Sequence, residues 1–554
     1  MEAGSQNQVP KPPLTSLRPV DIPLDIYLVI LEHSSRNTLR NFCLVSRLSY
    51  HYAAPLLWKN VNLPPEEMRA TQWSNALRDI IKTQGKHVET IEFSLAWEER
   101  SEELSWARPI EAVTNTLVEL ALERMPKLWS FTWDSNQTPS NEMIDALKTR
   151  PCLEELILDS NYWNVSLIAD LNFCGFRHLT SFEMENIVDD SQVLAIRNIL
   201  DSSLALKKLR FGFVEYFWDE WETDSGIDIF DVLFSVNNPQ NPKAQIPGKN
   251  LEELTILHGL FDEHGFEPSF FKATGLCFKN LDSLTLRHFD THEPHALDET
   301  WTLRLRKLRL QCFSWKSLRA LLQTSTKLEL LHIQMTSVGF EYDDLISLIC
   351  RSGDTLKDLR LEWDNVRKQD SQETMSKDAA WTLASKCGKL RELSLRADFD
   401  LDTWCNIEAT FPALFVDLTH FKLQRVVPKE KPSQQQADLS ASTSAKTPKD
   451  SVKQQLSIDF LTGTKNGIKY PETTAGDFFA VFITAAKNAS ISGDDKFTKL
   501  KYVGIDGHVY ELHVWDGMFT FSEVPKEKVR LCGGPFDPNI RIDSRDVFQL
   551  SSLN

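Results

Sequence analysis

The side chains that could carry chemistry in this sequence are few and scattered. His288, His292 and His295 occur in the segment RHFDTHEPH, with a spacing that could hold a metal ion. They come just after a predicted strand, in a connecting loop, and a solvated loop is the simpler interpretation. The nine cysteines include no CxxC pair, so neither a zinc knuckle nor a dithiol redox site is indicated. We expect no metal and no cofactor, and we expect the cysteines to be reduced and mostly buried.

Motifs of catalysis are also missing from the sequence. It contains no GxxxxGK[ST] phosphate loop, no GxSxG nucleophile elbow and no HExxH zinc motif. No cysteine is accompanied by residues that suggest an activating base. We therefore expect a protein that is not an enzyme, and a catalytic site in the C-terminal segment is the distant alternative.

Charge and hydropathy exclude two classes of partner. The net charge of -17 would repel the phosphates of a nucleic acid, so nonspecific nucleic-acid binding is not expected. The longest apolar run, Phe478 to Ala486, is far shorter than the roughly 20 residues that span a bilayer. The first twenty residues are polar and proline-rich, unlike a secretory signal. We expect a protein of the cytoplasm, the nucleus or both, with no membrane association.

A repeated pattern of leucines indicates the elements that make up most of the chain. The template apolar-x-x-apolar-x-apolar recurs twelve times, and eight of its eleven intervals measure 23 to 30 residues. Its first residues are Val88, Leu128, Leu153, Leu179, Leu206, Leu251, Leu281, Leu305, Leu328, Leu356, Leu390 and Leu418. Each repeat should supply one strand of a parallel sheet and return by a helix or loop, so that the leucines stack into one core. Amphipathic helices with leucines at chance spacing are the alternative.

The segment before these repeats has helical spacing. Ile26, Val29 and Ile30 follow Pro23, which suits a helix start, and Ser34, Ser35 and Asn37 then offer caps for a second helix that should end before Pro55. Two or three short helices of about 40 residues can hardly bury their own apolar surface. The remaining apolar face predicts a docking site.

The residues of this segment resemble a known family. Ile22-Pro23, Asp25-Ile26, Ile30-Leu31, Leu44-Val45-Ser46-Arg47 and Leu57-Trp58 follow the order and spacing of the F-box motif. Together with the irregular repeats, they resemble fungal-type F-box proteins with leucine-rich repeats. The resemblance implies docking to a Skp-type adaptor and, through it, to a cullin. The residues that it places at the adaptor are Pro23, Leu24, Ile26, Ile30, Leu31, Leu44, Val45 and Trp58. A helical hairpin that only caps the next domain is the alternative.

The resemblance also implies a function for the whole chain. It indicates the substrate-recognition subunit of a Skp–cullin–F-box ubiquitin ligase, in which the repeats bind a target protein for ubiquitination by other subunits. The alternative is an F-box protein that acts with the adaptor alone, as a non-degradative scaffold. Co-purification of a cullin discriminates between the two.

Alternating strand residues should face outward and form the target-binding surface. The outward positions of the first four repeats are acidic: Glu92, Asp134, Glu155, Asp159, Glu183 and Glu185. Later repeats carry basic residues there, and we expect five of them to receive an acidic or phosphorylated target segment. These are Lys208, Arg210, Arg287, Lys307 and Arg309. Solvated charges, or charges paired with acidic neighbours, are an equally good interpretation.

These patterns predict an α/β chain in five parts. They are a disordered N-terminus (1–18), a helical F-box (19–64), a leucine-rich-repeat solenoid (65–427), a disordered linker rich in Ser, Gln, Lys and Pro (428–456), and a small α+β segment (457–554). In the last part, Asp506-Gly507 and Asp516-Gly517 interrupt alternating apolar residues, as the turns of hairpins do.

Overall fold

The computed structural model describes most of the repeat region and parts of the rest. The described residues are 23–63, 70–95, 107–135, 137–159, 163, 168, 170–188, 190–213, 229–234, 248–257, 280–289, 304–312, 315–325, 327–335, 342–363, 377–396, 418, 420–424, 501–505, 508–515 and 518–524. The chain divides into two compact units, one reaching to Glu253 and one beginning with Leu254, apart from short exchanged pieces near the division. The predicted disordered segments 1–18 and 428–456 lie outside the described residues.

Three short helices open the first unit: Leu24–Glu32 (α1), Arg36–Val45 (α2) and Arg47–Leu57 (α3). Serine side chains fix the start of two of them. Ser35 Oγ accepts a hydrogen bond of 3.3 Å from the backbone N–H of Thr38, and Ser46 Oγ accepts one of 3.0 Å from Ser49. Such caps satisfy N–H groups that have no partner within the helix.

The predicted second helix, which was to carry Leu48 and to stop before Pro55, is divided in two. The first part, α2, ends at Val45, and Pro55 lies inside α3, in its last turn. Proline removes one backbone hydrogen bond there, and burial of Ala53 and Ala54 keeps the turn in place. The helical segment is also shorter than 19–64, because Asn60–Leu63 forms a strand (β1) that joins the sheet.

Twelve strands follow β1 at the twelve predicted places. Each begins two residues after the first residue of its template, so β2 begins at Thr90 after Val88 and β13 begins at His420 after Leu418. The strands are Thr90–Leu95 (β2), Ser130–Ser135 (β3), Glu155–Asp159 (β4), Ser181–Ile187 (β5), Lys208–Phe213 (β6), Glu253–Leu257 (β7), Ser283–Phe289 (β8), Lys307–Cys312 (β9), Leu330–Met335 (β10), Asp358–Trp363 (β11), Glu392–Arg396 (β12) and His420–Gln424 (β13). The position of the predicted strand is confirmed in all twelve cases.

Within each unit the strands lie side by side in chain order and run parallel. In the first unit β1 to β6 pair consecutively, and in the second unit β8 to β13 do so. Strand β7 falls on the division between the units. Helices precede many of the strands. They are Ala70–Asp79 (α4), Ala107–Glu123 (α5), Asn141–Lys148 (α6), Asp190–Ser202 (α7), Ile229–Phe234 (α8), Trp315–Thr324 (α9), Tyr342–Ile349 (α10) and Lys377–Lys386 (α11).

Leucines at the template positions form the core of each unit. In one repeat of the second unit Leu356, Leu359 and Leu361 are all completely buried. The backbone hydrogen bonds also repeat regularly. At the start of most of the parallel strand pairs, one carbonyl accepts hydrogen bonds from two N–H groups. The Glu329 carbonyl, for example, accepts from Lys357 and Asp358 at 2.8 and 3.0 Å. Each repeat therefore depends on its neighbours for both core and hydrogen bonds.

The C-terminal segment extends the sheet of the second unit. Strand β14 (Tyr502–Ile505) pairs in parallel with β13, and β15 (His508–Trp515) and β16 (Met518–Glu523) then continue in antiparallel fashion. In the register of these strands, Ile505 pairs with His508 and Trp515 pairs with Met518. Two residues therefore separate the paired strands in each case, at the positions predicted from the Asp-Gly pairs. The chain from 425 to 500, which connects β13 with this segment, lies outside the described residues.

Candidate protein-interaction surfaces

The three N-terminal helices leave a set of large apolar side chains exposed. We call this set the helical face, and it consists of Leu24, Ile26, Val29, Ile30, Leu44, Val45 and Leu48. Leu44 is 82% exposed and Val45 64%, at the point where α2 ends and α3 begins. Seven exposed large apolar side chains on three short helices make this segment a candidate for an interaction surface, whereas single ones are ordinary.

Only a small core lies beneath this face. Tyr27, Leu31, Leu39 and Ala53 are its buried members. The rings of Tyr27 and Phe42 meet edge to face, with their centroids 6.0 Å apart. Because so few side chains hold the helices together, burial of the helical face against a partner would add substantially to the apolar surface removed from water.

Most of the predicted adaptor residues are exposed on these helices. Pro23, Leu24, Ile26, Ile30, Leu44 and Val45 are exposed, and Trp58 is half-buried. Leu31 is a correction, since it is completely buried in the helical core. It stands one helical turn after Tyr27 and shares its inward direction, whereas Ile30 points outward. Val29 and Leu48 belong to the exposed set and were missed. The spacing of Val29 from Ile26 on α1 could have indicated it, whereas Leu48 follows the break at Ser46 and had no such signal.

Basic side chains border the helical face. Arg36, Arg40 and Arg47 are exposed on α2 and α3, and residues 36–57 contain no acidic residue. Arg40 precedes Leu44 by one helical turn, so the two share a side of α2. The apolar end of α2 therefore lies beside positive charge, which would favour a partner surface with acidic residues around an apolar centre.

The helices are attached to the first unit by polar contacts as well as by the chain. Gln84 Nε2 donates a hydrogen bond of 2.9 Å to the hydroxyl of Tyr50 on α3. Arg36 donates one of 3.3 Å to the carbonyl of Asn60 in β1. Gln84 ends a π-helical turn, Ile80–Gln84, that follows α4, and its side chain is mostly buried. These contacts hold the helices at a defined position on the first repeat.

The outward side chains of the first unit form an acidic face. Strand register places Asp134, Asp159 and Glu185 in one row across β3, β4 and β5. Arg210 lies beside this row, with Nη2 2.6 Å from Glu185 Oε1 and Nε 3.3 Å from Glu183 Oε1. One guanidinium thus balances only part of the negative charge.

This excess of negative charge contributes to a raised pKa of Glu183. Burial raises its pKa to about 7, and the nearby carboxylates of Glu185 and Glu155 act in the same direction, while Arg210 opposes them. Glu183 therefore carries a proton part of the time at neutral pH. A shared proton among crowded carboxylates relieves like-charge repulsion.

The five predicted target-binding residues do not have equal access to solvent. In the first unit, Lys208 Nζ lies 3.3 Å from Glu253 Oε2, and Arg210 bonds to the two glutamates described above. In the second unit, Lys307 and Arg309 are partly exposed on β9, but Arg287 is only 5% exposed. The expectation that Arg287 is open to a target was wrong, because its side chain is buried from solvent. Pairing with acidic neighbours, the alternative interpretation, applies to Lys208 and Arg210.

A buried charged network crosses the sheet of the second unit. His332 Nε2 lies 2.9 Å from Asp358 Oδ2, and Arg360 bonds to Asp358 at 3.3 Å and to Glu392 at 3.1 Å. Burial lowers the pKa of His332, and the cations Arg360 and Arg309 add to this against the opposing effect of Asp358. Although burial acts to raise it, the pKa of Asp358 is lowered by His332 and Arg360. The network joins the three strands β10, β11 and β12.

The described residues offer little for metal binding or membrane insertion. Among them, no group of three or more histidine, cysteine or acidic side chains is placed to hold a metal ion. His288 lies in β8, and His292 and His295 fall outside the described ranges. None of the helices in these ranges has both the length and the apolar character that crossing a bilayer requires. Of the five cysteines whose burial the structure describes, only Cys387 is buried, so the expectation of mostly buried cysteines was wrong for these five.

Comparison with known proteins gives no family for this chain, so a function has to be inferred from the surfaces described above. No protein-family model matches the chain, and no curated protein was found to match it.

Proposed function

We propose that this protein is the substrate-recognition subunit of a Skp–cullin–F-box ubiquitin ligase. Its three N-terminal helices are an F-box that docks a Skp-type adaptor, and its repeats are leucine-rich repeats that bind a target. The observation that carries the proposal is the helical face, since five of the eight residues that the F-box resemblance places at the adaptor belong to it and a sixth, Pro23, is also exposed.

Two further features support docking by this face. The core beneath it is small, so a partner that covers Leu44 and Val45 would stabilise the helices as well as bind to them. Arg40 and Arg47 border the face and would attract an adaptor with an acidic rim. Both features concern binding, and no step of chemistry is needed from this chain.

The strands would hold the target near the ligase machinery. A bound target lysine would then meet the ubiquitin-conjugating enzyme at a raised effective concentration. An acidic or phosphorylated target segment remains our prediction for Lys307 and Arg309, which lie two residues apart on β9 and share one side of the strand. Arg287 is left out of this site, because it is buried.

The proposal is tested by affinity purification from cells. Wild-type chain should recover a Skp-type adaptor and a cullin, and a variant with Ile30→Glu and Leu44→Glu should recover neither. The matched control is Leu194→Glu, because Leu194 is exposed to a similar degree on α7, away from these helices in the sequence. Recovery of the adaptor without a cullin would favour the non-degradative scaffold. Recovery of neither by the wild type would mean that the helices only cap the repeats.

Target binding needs its own variant. Reversal of charge by Lys307→Glu and Arg309→Glu should weaken target capture and leave adaptor recovery unchanged, since both residues lie in the second unit. Unchanged capture would reject the acidic-target prediction and would not bear on the adaptor.

A further inference from the structure

The residues that directly precede the strands form a row along one edge of the sheet. In the first unit, the residue before each of β2 to β7 donates its backbone N–H to the carbonyl of the residue at the same position in the previous repeat, at 2.7–2.9 Å. Glu252, for example, donates to Lys207. We call this series the strand-start row. Side chains at successive positions of the row are neighbours, because adjacent strands lie about 4.8 Å apart.

Opposite charges pair along much of the strand-start row. Lys59 Nζ lies 3.1 Å from Glu89 Oε2, and Lys207 Nζ lies 2.8 Å from Glu252 Oε1. The corresponding positions of the second unit also form ion pairs with their neighbours. Successive side chains of the row can therefore contact each other directly, and acids and bases at these positions do so.

This pattern is interrupted in the middle of the first unit. Between Glu89 and Lys207 the row contains Trp129, Glu154 and Thr180, so Glu154 has no basic residue on either side of it in the row. Trp129 is 42% exposed, and Glu154 is exposed as well. Among the described residues, none forms an ion pair with the Glu154 carboxylate or a ring contact with Trp129.

The basic residues nearest to this interruption in the sequence do not supply the missing charge. The guanidinium of Arg150 donates to the carbonyls of Ala146 and Leu122, at 3.2 and 3.1 Å. Lys127, two residues before Trp129, forms no ion pair with a carboxylate in the part of the chain that the structure describes. A cation that completes the row at this point would therefore come from another molecule.

We propose that Trp129 and Glu154 bind an arginine side chain of a partner protein. The guanidinium would stack on the exposed indole and donate N–H groups to the neighbouring carboxylate, as the lysines of the row do to their own partners. Arginine suits the site better than lysine, because a planar guanidinium can stack and form paired hydrogen bonds at once. Tryptophan is also the residue type most typical of the anchors of protein interfaces.

The surroundings of the site favour a partner segment that is basic as a whole. Glu155 follows Glu154 and begins the acidic face of the first unit, and Asp134 on β3 is exposed on the same face. A segment with its arginine at Trp129 could place further basic residues along β3 and β4, with charge complementarity throughout. This inference does not rest on adaptor docking, and its partner differs in charge from the acidic target predicted for Lys307 and Arg309.

The site is tested by fluorine NMR of the full chain labelled with fluorotryptophan. The probe is the blocked peptide Gly-Ser-Arg-Ser-Gly, and the Trp129 signal is identified by its loss in Trp129→Phe, or in Trp129→Tyr if the first variant does not fold. We expect a saturable shift of this signal. The same peptide with citrulline, which is uncharged, should cause none. Glu154→Gln should weaken binding of the arginine peptide by at least about fivefold.

Two matched variants serve as controls. Trp381 on α11 is exposed to nearly the same degree, at 39%, and its signal, identified by Trp381→Phe, should not respond to the peptide. Thr180→Arg places a guanidinium beside Glu154 within the chain and should reduce peptide affinity as Glu154→Gln does.

Any of three results would overturn the proposal. They are a Trp129 signal that the arginine peptide does not move, an equal shift with the citrulline peptide or at Trp381, and unchanged affinity in folded Glu154→Gln. Adaptor binding by the same variants is measured separately, so failure of this site and failure of adaptor docking are told apart.

Discussion

Single side chains in the N-terminal helices have opposite roles although they look alike in the sequence. Ile30 and Leu31 are adjacent, yet Ile30 is exposed on the helical face and Leu31 is buried beneath it. A motif match selects both, because it records residue type and order. Only the packing of α1 against α3 separates the residue that holds the fold from the one that is free to dock.

This difference gives a paired prediction. Leu31→Ala should lower the free energy of unfolding by about 2–5 kcal/mol, since it leaves a cavity in a small core. Leu44→Ala should change it by less than about 0.5 kcal/mol, because Leu44 is largely in solvent. Urea unfolding of both variants measures the two values, and equal losses would show that Leu44 is part of the core.

Glu183 gives a pH-dependent prediction. Its pKa of about 7 in the folded state is above its ordinary value of 4.5, so its contribution to stability is complete below about pH 4.5 and is lost as the pH rises through 7. Glu183→Gln has no such loss. The free energy of unfolding at pH 8, taken relative to that at pH 5, should therefore be higher in the variant than in the wild type by up to about 3 kcal/mol. Urea unfolding at both pH values tests this. Glu142→Gln, on the exposed surface of α6, controls for the loss of one negative charge; the same gain in both variants would contradict the prediction.

At the scale of elements, strands were predictable and their side-chain contacts were not. Every leucine template led to a strand, because burial fixes both the period and the direction of those leucines. Arg210 contacts Glu183 and Glu185 only because of the register between β5 and β6, which no local pattern specifies. The burial of Arg287 is likewise not indicated by any local pattern. The pairing of β14 with β13 connects residues far apart in the chain, and hairpin signals alone could not indicate it.

The charged network of β10, β11 and β12 offers a test at this scale. Arg360→Met leaves the partly buried carboxylates of Asp358 and Glu392 without their guanidinium, which should lower the free energy of unfolding by about 3 kcal/mol. Arg306→Met is the matched control, because Arg306 also bonds to two carboxylates, Asp282 and Glu329, but is exposed. We expect a much smaller loss there. Comparable losses in the two variants would mean that burial of the network contributes nothing.

For the whole molecule, local charge differs from net charge. The chain carries -17 overall, yet α2 and α3 have three arginines and no acidic residue. The helices therefore differ in sign from the chain as a whole and are suited to a partner with acidic residues.

This distribution predicts salt-sensitive docking. Arg40→Glu with Arg47→Glu should slow association with a Skp-type adaptor at low ionic strength, and the difference from wild type should shrink as salt rises. Stopped-flow association rates at several salt concentrations measure the effect. A rate unchanged by the double reversal would show that these arginines lie outside the contact.

Direct binding of the purified chain to a purified Skp-type adaptor tests the central claim. Isothermal titration should give a one-to-one complex for wild type and for Leu194→Glu. Affinity should fall by at least about 100-fold for Leu44→Glu with Val45→Glu, because both are central exposed side chains of the helical face. Wild-type binding that the double variant leaves unchanged, or no binding by folded wild-type protein, would contradict docking through this face.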